Sequence, residues 1–241
     1  MSESRHLDWE GAFNVRDLGG LPAAGGRRTA WGALVRADSL SRLTARGWDA
    51  LLAYGVRTVV DLRNEAERGE DAAARPASIA TLHLPLDGTG DRGSWQGIEQ
   101  TPEFGTPLYY RAHLMREPQL SAAVLAAIAR AEPGGVVFHC VAGRDRSGQI
   151  AMLALALAGV APELIGADYE LSHQRLSDLF AALGLPDDGI ALQAYLAERG
   201  TSAAEVIATT LASLDIEGLL AAGGLSASDL DALRRRMLEP Q

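Results

Sequence analysis

The segment Val136 to Gly148, VVFHCVAGRDRSG, concentrates the residue types that can do chemistry. Its apolar start reads as a buried strand and a helix begins near Ser147, so Cys140 opens a short loop between them. Backbone N–H groups in such a loop can turn inward as an anion nest, and the helix N-terminus adds its positive end. Val141, Ala142, Gly143, Arg144 and Gly148 would line that nest as substrate-binding positions. Arg146, six residues after Cys140, can close the ring and hold two anion oxygens bidentately. Cys140 at the floor is then a candidate nucleophile, set as a thiolate in a positive surround.

With a phosphate ester in the nest, in-line attack by sulfur gives a cysteinyl-phosphate and an alcohol. The nest and Arg146 stabilise charge on the equatorial oxygens. An acid must protonate the leaving oxygen, and water must then cleave the thiophosphate. The Ser147 hydroxyl can hydrogen-bond the sulfur as it leaves, and His139 orients the loop rather than moving protons. A lone cysteine is more commonly a small buried hydrophobe. Here His139 before it, with Gly143, Arg146 and Ser147 at their spacings in a strand–loop–helix context, favours the chemical reading.

The elements that must position this loop follow from periodicity. Ala33 to Ala37, Val56 to Leu62, Ile79 to Leu86 and Val136 to His139 read as strands. Gly19 to Arg28 reads as a turn or short hairpin. Helical spacing marks Leu43 to Tyr54, Leu108 to Met115, Leu120 to Ala131 and Ser147 to Ala158. Beyond these the chain reads as helical to Leu238, broken at Gly159, Pro186, Gly200 and Gly223-Gly224. Strands alternating with helices predict an α/β fold, a central sheet flanked by helices with a helical C-terminal layer, in one domain over 1–241. Asp87 to Gly105 is polar and glycine-rich and reads as a loop that could close as a lid.

Composition narrows the function classes. The chain has 241 residues, 47% hydrophobic, which is ordinary for a globular domain with a full core. All 22 basic residues are arginine. Without lysine there is no Schiff-base enzyme, no P-loop NTPase and no ordinary protein kinase. The single cysteine excludes an intramolecular disulfide, and nothing among the five histidines suggests a metal. No cofactor is therefore expected. A net charge of −9 argues against general nucleic-acid binding. The polar N-terminus is no signal peptide and the longest apolar run, Ile150 to Pro162, is too short to span a bilayer. Cytoplasm is the expected location, with export by a route needing no signal peptide left open, and the oligomeric state is not legible.

HCVAGRDRSG matches the HCxxGxxR[ST]G signature of the cysteine-dependent tyrosine phosphatase superfamily. FNVRDLGG (Phe13 to Gly20), LVRADSLSRLT (Leu34 to Thr44), GVRTVVDLRNEAE (Gly55 to Glu67), HLPLD (His83 to Asp87) and ADYELS (Ala167 to Ser172) resemble its bacterial tyrosine and phosphoinositide phosphatase branch, to which mycobacterial PtpB belongs. The resemblance implies a phosphomonoester hydrolase acting on phosphorylated protein or phosphoinositide. It places a functionally required aspartate at Asp145, and it matches Asp87 to the position proposed as general acid. The acid role stays open between the two. Arg144 stands where that branch usually has lysine, so the rim charge is kept with a planar, forked geometry. It can take a second substrate anion or pair with a nearby carboxylate. Asp61 can face the site or pair with Arg63. Asp168 and Tyr169 read as a helix residue and its packing partner, Tyr109-Tyr110-Arg111 as helix-face core ahead of a cover over a substrate ring, and Arg234 to Arg236 as a solvated face ahead of a phosphate patch. Two rivals share the anion loop, a rhodanese-type sulfurtransferase and a phosphate-binding module without turnover.

Overall fold

A computed structural model describes residues 4–87 and 101–240. Strands β1 (Arg16–Asp17), β2 (Leu34–Ala37), β3 (Val56–Asp61), β4 (Ala80–His83) and β5 (Gly135–His139) form one sheet in the order β1-β2-β5-β3-β4. Only β1 is antiparallel to its neighbour. β5 is therefore central and covered on both faces, which is why it reads as an unbroken apolar run rather than an alternating one.

Alternation along the strands splits the core in two. Leu34, Val60, Val136 and Phe138 face helices α3 (Pro118–Arg130) and α4 (Arg146–Leu157), meeting Leu125, Ile128 and Leu153. Val35, Ala37, Val59 and Val137 face α1 (Ala45–Ala53) through Trp48 and Leu51. Thr44 caps α1 by accepting from the Gly47 N–H. The remaining α-helices among the described residues are α2 (Tyr110–Arg116), α5 (Pro162–Glu170), α6 (His173–Leu183), α7 (Gly189–Ala197), α8 (Ala203–Ser213), α9 (Ile216–Ala222) and α10 (Ala227–Met237). The sheet flanked by helices, with a helical C-terminal layer, is the expected α/β architecture. Among the described residues no helix is long and apolar enough to cross a membrane.

Three details differ from the reading of the sequence. β1 is only two residues long, too short to show a period. The strand expected over Ile79 to Leu86 ends at His83, although Leu84 and Leu86 still donate to the Asp61 and Leu62 carbonyls. Pro85 between them has no N–H to offer. The C-terminal helices also break between α5 and α6 and between α8 and α9, where neither Gly nor Pro stands. Asp215 makes the second break by capping α9 through the Gly218 N–H. The lid expected over Asp87 to Gly105 falls mostly on residues 88–100, outside those described; Pro102–Gly105 forms a 3-10 turn.

Candidate active site

The parallel strands β2, β3 and β5 end on one edge of the sheet, and Cys140 follows β5 there. α/β sheets bind ligands at this carboxyl edge. The carbonyls of the loop all have partners outside it. Val141 O accepts from Ser39 N at 3.0 Å. Ala142 O accepts from Asn14 Nδ2 at 3.0 Å. Gly143 O accepts from Asn14 Nδ2 and Arg36 Nη2, and Arg144 O from the same Arg36 nitrogen at 2.9 Å. Asp145 O accepts from the Tyr110 hydroxyl at 2.7 Å. A trans peptide points its N–H opposite its C=O, so carbonyls held outward turn the following N–H groups inward. Gly143 N–H donates to Cys140 Sγ at 3.2 Å, as that geometry requires. Gly143 has φ +70°, and a Cβ there would lie 2.6 Å from Asp38 N, so only glycine fits.

Cys140 is 3% exposed, and its sulfur lies 3.8 Å from Ser147 Oγ. Arg146, in the first turn of α4, meets Glu67 in a two-pronged pair, Nη1 to Oε2 at 2.5 Å and Nη2 to Oε1 at 2.7 Å. Asp87 Oδ2 is 3.3 Å from the same Nη1 and accepts from Asn64 Nδ2 at 3.2 Å. Asn64 N–H in turn donates to Glu67 at 2.8 Å, so the tight turn after β3 fixes the carboxylate that aims the arginine. Burial works against the Arg146 charge, but Glu67 and the neighbouring sulfur and Asp87 hold it above its ordinary value. Glu67 likewise falls below the usual carboxylate range because Arg146 outweighs its burial.

Arg144 pairs with carboxylates rather than standing free at the rim: its Nε faces Asp145 Oδ2 at 3.2 Å, and its fork meets Asp188 at 2.7 and 3.1 Å. Asp145 also accepts from the Tyr169 hydroxyl at 3.3 Å. Gly148 is buried where a Cβ would meet the Tyr110 hydroxyl at 2.5 Å, so α4 packs against α2 only with glycine there.

Of the two roles open to Asp61, the structure has the pairing and not the substrate contact: Arg63 covers its two oxygens at 2.9 and 2.7 Å. Burial alone would raise this carboxyl, yet the Arg63 hydrogen bonds bring it to about 2. His139, expected to orient the loop, stands outside the nest: its ring is fully buried, with Nδ1 3.3 Å from the Cys140 carbonyl and Nε2 3.7 Å from Asp61. Burial lowers its pKa to about 4, although Asp61 pulls the other way. The unfolded chain takes up this proton near pH 6.5, whereas the folded protein resists to about pH 4. Stability is thus intact above pH 6.5 and falls by up to about 1.4 kcal/mol per pH unit as acid crosses that window. Urea titrations of wild type and His139→Asn should show a shallower acid decline in the variant; identical slopes would refute the assignment.

Beneath the loop lies a cluster that sequence reading passes over. Asp168 on α5 accepts from Arg16 and Arg36, both fully buried, and from Arg5 at 2.6 Å. Three guanidiniums around one carboxylate leave a positive region against the loop carbonyls. Asn14, which ties two of those carbonyls, is itself held by its N–H on Asp38 Oδ1 at 2.9 Å. FNVRD and LVRADS therefore supply the scaffold of the loop, and Glu67 its arginine aim. The signal for all of them lies in the quoted segments, but their partners are remote in sequence.

Parallel strands that deliver a cysteine into a loop with its carbonyls tied outward, followed by an arginine in the first turn of a helix, define a cysteine-headed loop of the kind that can hold an anion. The chain belongs to the tyrosine phosphatase family, which it matches over residues 7–239. It is 34% identical over 182 residues to a Cupriavidus necator protein described as a tyrosine-protein phosphatase, covering 72% of this chain and 65% of that one. It is 36% identical over 146 residues to the tyrosine-protein phosphatase of Nostoc commune, covering 60% and 49%. A third relative is the triple specificity protein phosphatase PtpB of Mycobacterium tuberculosis, 27% identical over 202 residues and 72% and 71% covered. The chain thus spans just under two thirds of the first relative and about half of the second.

Proposed function

We propose that this chain is a single phosphatase domain that hydrolyses phosphomonoesters, phosphotyrosine in proteins first, through a cysteinyl-phosphate and without a metal. The observation that carries this reading is the set of outward-tied carbonyls from Val141 to Asp145, which aims backbone N–H groups at the space over Cys140. A phosphate held there by the nest and Arg146 has the sulfur in line with its ester bond. The S–P bond forms as the P–O bond breaks, and the leaving oxygen takes a proton from an acid. Water then attacks phosphorus, the same carboxylate takes its proton, and orthophosphate and thiolate result, with the Ser147 hydroxyl bonded to the departing sulfur.

Asp87 is the acid we favour, because it stands beside the guanidinium that would hold the phosphate, whereas Asp145 is committed to Arg144 and Tyr169. Cytoplasm, where a lone cysteine stays reduced, is the location we assign. Phosphoserine, phosphothreonine and phosphoinositide are the further substrates to compare.

The test is phosphate release in EDTA with fresh reductant from p-nitrophenyl phosphate, phosphopeptides of each kind and a phosphoinositide. Turnover of phosphotyrosine peptide is expected; turnover of thiosulfate with cyanide instead would move the protein to sulfur transfer. Asp87→Asn should cost about 10²-fold on phenyl phosphate and much less on p-nitrophenyl phosphate, whose leaving group needs little protonation. If Asp145→Asn shows that leaving-group dependence and Asp87→Asn does not, the acid is Asp145.

A further inference from the structure

Arg144 is the basic group of the loop that the proposed chemistry leaves unused. Its fork is met oxygen for nitrogen by Asp188, which stands in the turn just before α7. The two side chains differ sharply in exposure, Arg144 at 6% and Asp188 at 46%. The carboxylate is the outer partner, so it lies on the solvent side of the guanidinium. The turn that carries it is fixed, with Asp187 Oδ1 accepting from Gly189 N–H at 2.8 Å. α7 is seated close to the loop: a Cβ on Gly105 would lie 2.9 Å from Leu192 and 3.3 Å from Arg144 Nη2. Tyr195 of the same helix donates to Glu103 at 3.4 Å. One cation held between Asp145 and Asp188 leaves this stretch of the rim with a net negative charge.

Building on the phosphatase reading, we propose that Asp188 is a specificity-determining residue: it fills a second anion seat on Arg144 and disfavours substrates carrying another anionic group beside the scissile phosphate. A monophosphate uses only the nest and Arg146 and does not meet the seat. A second phosphate or carboxylate reaching Arg144 must displace Asp188 or lie against it, and like charges at contact oppose binding. Planarity matters here, because a fork can be satisfied on one edge by a single carboxylate in a way that a point-charge ammonium cannot.

The experiment uses the full chain with Cys140→Ser, so that binding is read without turnover. Calorimetry compares phenyl phosphate with 1,3-phenylene bisphosphate. Asp188→Asn should raise the bisphosphate-to-monophosphate affinity ratio about tenfold, Asp188→Glu should keep the parental ratio, and Asp188→Asn with Arg144→Gln should lose the gain. A ratio within twofold of the parent in folded Asp188→Asn would overturn the assignment, as would a gain that survives removal of Arg144. If the parent binds no phenyl phosphate at all, the phosphatase reading fails and this assignment with it.

Discussion

Cys140→Ser should abolish hydrolysis of aryl phosphates, a fall of at least about 10⁴-fold in kcat, as expected when a covalent nucleophile is removed. The exchange is nearly isosteric, so the anion site should survive. What disappears is a nucleophile that can work without a base. A serine hydroxyl must give up its proton as it attacks, and among the described residues the carboxyl we favour beside the site, Asp87, must itself carry the proton for the leaving oxygen at that step. His139 donates toward the Cys140 carbonyl and is turned away from the nest. Gly143 N–H is a donor, and Ser147 is another hydroxyl. The variant should therefore bind inorganic phosphate within about tenfold of wild type, because the outward-tied carbonyls and Arg146 are untouched. Steady-state rates with p-nitrophenyl phosphate and calorimetry with phosphate separate the two effects. Retention of more than a few per cent of the wild-type rate would mean that sulfur is not the attacking atom.

How much of this was legible depends on how far apart the partners stand. β5, the loop and α4 are contiguous, so the spacing of Cys140, Gly143, Arg146 and Ser147 reports the nest directly. Glu67 sits 79 residues before Arg146. The tight turn that presents it can be read from Asn64 and Glu67, but its partner cannot. Asp168 reads as an ordinary helix residue because its partners Arg5, Arg16 and Arg36 lie 163, 152 and 132 positions away. Strand existence follows from periodicity, whereas the order β1-β2-β5-β3-β4 does not, since parallel strands are joined by crossovers that can pass over a neighbour. Asp61 shows the converse: its strand-end place suggests the site, but the arginine two residues on is legible in the sequence as the nearer cation, and it takes the carboxylate.

Asp168→Asn should lower the unfolding free energy by about 3–5 kcal/mol, the usual cost of removing one partner from a buried ion cluster. Asp168 is 1% exposed and accepts from Arg16 Nε at 3.2 Å, Arg36 Nη1 at 3.0 Å and Arg5 Nη1 at 2.6 Å. Arg16 and Arg36 are as deeply buried as Asp168, so loss of its charge strands two guanidiniums away from water. The strain is already visible: burial and the nearby Arg36 lower the pKa of Arg16 to about 10 even with the carboxylate present. An asparagine would also turn an amide N–H₂ toward groups that only donate. The damage should reach the loop, because Arg36 holds the Gly143 and Arg144 carbonyls outward. The sign of the pH dependence follows from the same cluster. Burial would raise the Asp168 carboxyl, but Arg16, Arg36 and Arg5 hold it well below the usual carboxylate range. Its contribution is therefore complete above the unfolded value near pH 4 and is lost as pH falls below it. Wild type and Asp168→Asn should thus differ most at neutral pH, by a Tm shift of about 10 °C, and converge in acid. Thermal melts at pH 7 give the Tm shift and urea unfolding at pH 7 and pH 3 the convergence; a difference below about 1 kcal/mol at pH 7 would mean that water, not Asp168, neutralises the buried arginines.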